Sequence, residues 1–196
     1  LHPFNDKYVM AGQGTIALEI FERLDDNVDT IICPIGGGGI IAGIAVAAKG
    51  INPNIKIVGV QTANIPSMHE SMKNGKVTTA FNATTIADGI AVKTPGNVTF
   101  DIIKELVDEV IVVEEDEIAQ GMLFLMENQK VVAEGSGAVT TAALLSRKYV
   151  PQKDENVVCI ISGGNVDVNT LYRVIGTALT KEARRYAFNT VIQDKP

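Results

Sequence analysis

Pro34-Ile35-Gly36-Gly37-Gly38-Gly39-Ile40 stands between a β-branched apolar run and a stretch that is apolar all round. Four consecutive glycines cost backbone entropy and add no packing, so such a run belongs where backbone must come close to something. At a helix N-terminus the free N–H groups and the helix dipole together make an anion site, with phosphate its usual occupant. No Lys-Ser/Thr pair follows, so this is not a Walker loop, and no GxGxxG with a later acidic residue is present. A second glycine-rich segment, Ile161-Ser162-Gly163-Gly164-Asn165, also follows an apolar run. Ser162 offers a neutral hydroxyl that can donate to, or accept from, a ring nitrogen. A plain turn is the alternative for both segments, though a strand–helix turn needs only one or two glycines.

Other reactive side chains carry weaker signals. His2 and His69 are far apart and lack Cys or acidic partners at ligand spacing, so no metal site is expected. Cys33 and Cys159 sit inside apolar runs and read as small packing groups in a reducing compartment, not as a disulfide framework. Lys7, Lys49, Lys56 and Lys93 stand in surface-like or helix-end contexts and read as solvated charges. The acidic run at 114–117 reads as a helix start, with Glu115 or Asp116 as its cap. Glu134 precedes a glycine-rich helix start and reads as a cap or a structural ion pair.

The elements that must position these residues are legible as apolar runs. Residues 30–35, 56–61, 109–113 and 157–162 are β-branched and apolar on both faces, the pattern of strands buried on both sides. Helices are expected over 14–24, 40–49, 97–107, 115–129, 137–149 and 168–184. Such alternation predicts an α/β fold with an open, mostly parallel sheet and helices on both faces. Phe188, Thr190 and Ile192 alternate with Asn189 and Val191 as a half-buried strand without a partner, which reads as the start of a second domain. The chain opens on Leu1 and closes on Asp194-Lys195-Pro196, so both ends are expected to continue.

Composition sets the outer bounds. At 196 residues the chain can hold one domain and a fraction, and 46% hydrophobic residues exclude a disordered tail. A net charge of −6 without any run of Lys or Arg argues against nucleic acid as a partner. No apolar stretch approaches the ~20 residues of a membrane helix, and no secretory signal opens the chain. A soluble cytoplasmic protein is the expectation.

Five motifs in fixed order make the pattern specific: Ala11-Gly12-Gln13-Gly14-Thr15, the four glycines, Ala87-Asp88-Gly89, Glu134-Gly135-Ser136-Gly137-Ala138 and Ser162-Gly163-Gly164-Asn165. Together they resemble the threonine dehydratase (threonine ammonia-lyase) and serine racemase family, nearest to its biodegradative dehydratase branch. The resemblance implies a pyridoxal 5'-phosphate enzyme of the tryptophan synthase β-like fold, with residues 1–185 as part of the larger domain. Residues 186–196 resemble the opening of an ACT-like regulatory domain.

By that resemblance, Gly36, Gly37, Gly38, Gly39 and the Ile40 N–H hold the cofactor phosphate. Ser162 faces the pyridine nitrogen, Gly89 lies against the ring edge, and Asn165 stands where some relatives contact a nucleotide. The implied reaction is α,β-elimination of L-threonine to 2-oxobutanoate and ammonia, or of L-serine to pyruvate and ammonia. The family's cofactor-binding lysine lies in a Ser-x-Lys context that these residues lack, so no catalytic residue is assigned and the chain alone is expected to be inactive. Where serine racemases carry acidic metal ligands this sequence has Gln61 and Ser67, and where they carry an Asn near the cofactor it has Phe4. A homodimer or homotetramer and a nucleotide or amino-acid effector complete the expectation. A non-catalytic α/β module that binds a phosphate-bearing ligand is the alternative; an upstream Ser-x-Lys segment would separate the two.

Overall fold

The computed structural model describes residues 1–81 and 83–192. Four strands, β1 (Thr30–Pro34), β2 (Lys56–Thr62), β3 (Glu109–Val113) and β4 (Val157–Cys159), form one sheet in the order β3-β2-β1-β4. Every pairing is parallel, with Ile32 opposite both Val58 and Cys159. Alternate side chains leave opposite faces of a strand, and both faces are buried here. Ile31, Cys33 and Ile57 join one core with Met10, Phe21, Ile41, Ile44, Met68 and Phe100. Ile32, Val58 and Val60 join another with Ile118, Val139, Ala142 and Tyr149.

The helices α1 (Lys7–Arg23), α2 (Gly39–Ile51), α3 (Ser67–Asn74) and α4 (Asn97–Leu106) cover the first face. The second is covered by α5 (Glu115–Phe124) and α6 (Gly135–Leu145), with α7 (Val168–Lys181) packed outside α5 through Val174 and Ala178. Helices therefore do lie on both faces of a parallel sheet. All four strands point the same way, so the loops after β1 and β4, which are neighbours, emerge side by side. No helix among the described residues is long and apolar enough to cross a membrane.

Several boundaries differ from the sequence reading. α1 begins at Lys7, not at 14, because the Asp6 carboxylate accepts from the N–H groups of Tyr8 (2.8 Å) and Val9 (3.2 Å). α3 is announced by only one apolar pair at helical spacing within its eight residues, Met68 and Met72. The cap of α5 is Glu114, in a reciprocal box with Glu117, while the Glu115 carboxylate turns inward onto Thr62, Thr85 and the Ile86 N–H. Beyond Phe124 the helix loosens into a π turn, Leu125–Gln129, that ends on Lys130 at φ +59°. β4 stops at Cys159, although the Ile160 N–H still reaches the Ile32 carbonyl at 2.9 Å. Residues 186–192 form no strand; Phe188, Val191 and Ile192 stand exposed because no sheet edge lies beside them. The last four positions of the expected second domain, 193–196, lie outside the described residues.

Two packing features carry measurable consequences. α1 and α2 cross where Gly14 meets Gly43, so close that a Cβ on Gly43 would run into the Met10 carbonyl and stand 2.8 Å from the Gly14 nitrogen. Gly43→Ala is expected to cost about 2 kcal/mol in urea unfolding, overpacking outweighing the gain in helix propensity. At the opposite end of the sheet from these loops, the Glu155 carboxylate accepts from Thr30 Oγ1 (2.5 Å), Tyr149 OH and the Gln152 N–H (2.6 Å). Burial pushes its pKa up, but the hydrogen bonds from Thr30, Tyr149 and Gln152 outweigh that and hold it below the ordinary carboxylate range. A lowered folded-state pKa means the stability is fully present above the unfolded value of about 4.3 and drains away as pH falls through the folded value. Glu155→Gln is therefore expected to lower the melting temperature at pH 7 and to flatten its decline below about pH 5.

Candidate functional site

Residues 36–39 form the turn from β1 into α2, and they are hemmed in on several sides. A Cβ on Gly37 would enter the Phe4 ring, one on Gly39 would lie 3.0 Å from the Phe4 backbone, and one on Gly36 would lie 3.1 Å from Ile90 Cα. Gly38 adopts φ +97°, where side chains are strained, and faces Thr99 and Ile103. The glycine run thus answers close packing by the protein's own backbone and side chains. Gly37, Gly38 and Gly39 are buried, yet none of the N–H groups from Gly36 to Ile40 meets an acceptor among the described residues. Gly38 caps α2 with no side-chain bond of its own. Buried, unanswered amides at a helix start are a prepared anion site.

The carbonyls of the same turn are held firmly. Gln61 Nε2 donates to the Ile35 carbonyl at 3.2 Å, and Thr99 Oγ1 donates to the Gly37 carbonyl at 2.6 Å. The Gly96 N–H reaches that carbonyl too, at 3.4 Å. The Gln61 amide oxygen accepts from the Met68 and His69 N–H groups, both at 2.9 Å, and so caps α3. Ser67 Oγ donates to the Val92 carbonyl. Both positions where a cation was considered are thus spent on neutral hydrogen bonds, and no cluster of three His, Cys, Asp or Glu side chains occurs among the described residues.

The segment before α1 covers the turn. His2 Nδ1 accepts from the Asn5 N–H at 3.0 Å and its ring meets Phe4 edge-on at 4.5 Å. Asn5 Oδ1 accepts from the Val98 N–H, giving α4 the cap that Gly96 cannot supply. His69 Nδ1 lies 3.1 Å from the Val110 carbonyl, a packing role. Burial pushes the Cys33 thiol far up and the Cys159 thiol to about 11, so both stay protonated and inert. Lys49 pairs with Asp108 (3.0 Å) and Lys56 with Glu109 (3.1 Å), while Lys7 and Lys93 are exposed.

Ser162 lies exposed in the loop after β4, beside the loop that carries the glycines. Glu134 fastens that loop from both ends of its own residue. Its N–H donates to the Gly163 carbonyl at 3.1 Å, and its carboxylate accepts from the Asn165 N–H at 2.9 Å. Gly89 sits in a 3-10 turn, Asp88–Ile90, and a Cβ there would meet Ser136 Oγ at 2.8 Å and Glu134 Oε1 at 3.2 Å. Protein atoms already exclude a side chain at Gly89, whatever else lies beside it. Ser136 Oγ is itself buried, with no hydrogen-bond partner among the described residues. Asn165 lines a cleft of about 160 Å³ with Asp88, Glu134, Asp167, Thr170 and Arg173, three carboxylates to one guanidinium.

The sequence singled out the glycines and Ser162, and the parallel sheet brings the loops that carry them to the same end of the sheet. Thr99 was missed, and Gln61 was noticed only as a lost metal ligand. Their partners lie 62 and 26 residues away, so no spacing rule could have found them.

Residues 1–163 match the family model for pyridoxal-phosphate dependent enzymes. The chain is 50% identical over 196 residues to the L-threonine ammonia-lyase of Thermotoga maritima, covering all of this chain and 48% of that protein. It is 50% identical over 177 residues to the catabolic L-threonine dehydratase of Escherichia coli K12, covering 89% of this chain and 53% of that one. Maize serine racemase superposes with a TM-score of 0.82 at 39% identity, over 93% of this chain and 56% of that one. The processed threonine deaminase isoform 2 of Solanum lycopersicum gives 0.83 at 37% identity, over 91% and 49%. The chain spans about half the length of the curated relatives it matches. Fold, loop placement and the match over five-sixths of its residues agree: the chain belongs to the pyridoxal-phosphate dependent enzyme family.

Proposed function

We propose that this chain is the phosphate-holding part of an enzyme that converts L-threonine to 2-oxobutanoate and ammonia, and L-serine to pyruvate and ammonia. The observation that carries the reading is the 50% identity to an L-threonine ammonia-lyase over every residue of the chain. Supporting it on the side of the phosphate, the amides at the start of α2 meet no acceptor among the described residues. When bound, pyridoxal 5'-phosphate supplies a sink for the electron pair left when the substrate's Cα proton departs.

The chain's residues divide the remaining work. N–H groups from Gly36 to Ile40 donate to phosphate oxygens, helped by the positive end of α2. Phe4 packs over Gly37 and Gly39 and keeps water from that side of the turn. Ser162 Oγ would be a neutral hydrogen-bond partner for the ring nitrogen, a partner that favours the unprotonated nitrogen and a milder sink. Glu134 holds the Ser162 loop in place. Gly89 would stand at the ring edge, where its turn carries no side chain.

No residue among these 196 is assigned the lysine that takes the Cα proton, so the chain by itself is expected to be inactive. A cytoplasmic homodimer or homotetramer, a small effector near Asn165, and an ACT-like region beginning near Tyr186 belong to the same proposal.

Purified full-length protein is expected to release 2-oxobutanoate from L-threonine. Ser162→Ala is expected to weaken cofactor binding about fivefold, because the ring nitrogen would lose its hydrogen-bond partner. Release of no keto acid from threonine or serine by the cofactor-loaded protein would refute the assignment.

A further inference from the structure

The four glycines raise a difficulty that their own chemistry cannot solve. A peptide plane flanked by glycines meets few steric barriers, so its N–H can swing away from a ligand as readily as toward it. Amides aimed at one point must be held by something outside the glycines. All peptide bonds among the described residues are trans, so each N–H points opposite to the carbonyl that precedes it in the same plane. Whatever grips a carbonyl in this turn therefore aims the next N–H.

Two side chains do the gripping. Thr99 is fully buried, and its Oγ1 stands 2.6 Å from the Gly37 carbonyl, whose plane carries the Gly38 N–H. Gln61 is 1% exposed, and its Nε2 stands 3.2 Å from the Ile35 carbonyl, whose plane carries the Gly36 N–H. Each is fixed from elsewhere: Thr99 sits in the first turn of α4, and the Gln61 oxygen is bound to the start of α3. The Gly37–Gly38 plane has glycine on both sides, so it depends more heavily on its anchor. The next plane needs none, since the Gly38 carbonyl accepts from the Ala42 N–H inside α2.

We propose that Thr99 and Gln61 are positioning residues for the phosphate cup, touching no ligand themselves but aiming the Gly38 and Gly36 amides through the carbonyls of Gly37 and Ile35. This rests on the cup described above. It also gives Gln61 a purpose that a vanished metal ligand would not have.

The test compares equilibrium binding of pyridoxal 5'-phosphate and of pyridoxal, which lacks the phosphate, to the full-length protein stripped of cofactor. Contacts to the ring and the aldehyde are common to both, so the affinity ratio isolates the phosphate. Thr99→Val is expected to reduce that ratio about tenfold and Gln61→Glu about fivefold, with pyridoxal affinity little changed. Thr99→Ser, which keeps the hydroxyl, should restore the wild-type ratio. Melting temperature is read for each variant, and Thr99→Ala replaces Thr99→Val if the latter does not fold. A folded Thr99→Val with the full wild-type ratio would overturn the positioning role. A wild-type protein with no preference for the phosphorylated ligand would instead remove the cup reading itself.

Discussion

Buried amides without acceptors are costly, and the start of α2 keeps a row of unanswered amides from Gly36 to Ile40, of which Gly37, Gly38 and Gly39 are buried. The neighbourhood is built to tolerate that cost without relieving it. No side chain within the turn can fold back to cap the helix, because the four positions have none. Asn5 and Asp6 spend their polar groups on α4 and α1, and Thr99 and Gln61 bind the carbonyls, leaving the N–H side open. An anion at this point would satisfy donors that the described residues leave unanswered.

The sheet explains why the Ser162 loop lies beside the glycine turn. β1 and β4 are parallel neighbours, so the glycine turn and the Ser162 loop leave the same edge. Glu134, at the start of α6, holds the Ser162 loop by hydrogen bonds, much as Thr99 on α4 and Gln61 on β2 hold the carbonyls of the glycine turn. Fixing irregular backbone on regular elements is a general way to hold a ligand in one geometry. The same turn could not be stiffened by larger residues, since Phe4, Ile90 and Thr99 already occupy the space where their side chains would go.

Much of this was legible in the sequence, and the rest was hidden for identifiable reasons. The strands were readable because burial on both faces leaves continuous β-branched runs. The glycine run and Ser162 were readable because both stand where strands end. α3 was not, because it is short, offers only Met68 and Met72 as an apolar pair, and takes its capping oxygen from Gln61 on β2. The early start of α1 had a signal in Asp6, but exposed Lys7 and Tyr8 broke the apolar pattern that follows it. Alternation over residues 188–192 predicted a strand that cannot form without a neighbour to pair with. Glu115 was misread as a cap because sequence cannot say which acidic residue of a run turns inward.

The most direct test of the account is a crystal structure of the full-length protein with pyridoxal 5'-phosphate bound. Phosphate oxygens within hydrogen-bond distance of the amides at 36–40, with Ser162 Oγ at the ring nitrogen, are what the account predicts. A phosphate held elsewhere, with those amides facing only solvent or a rearranged turn, would contradict it.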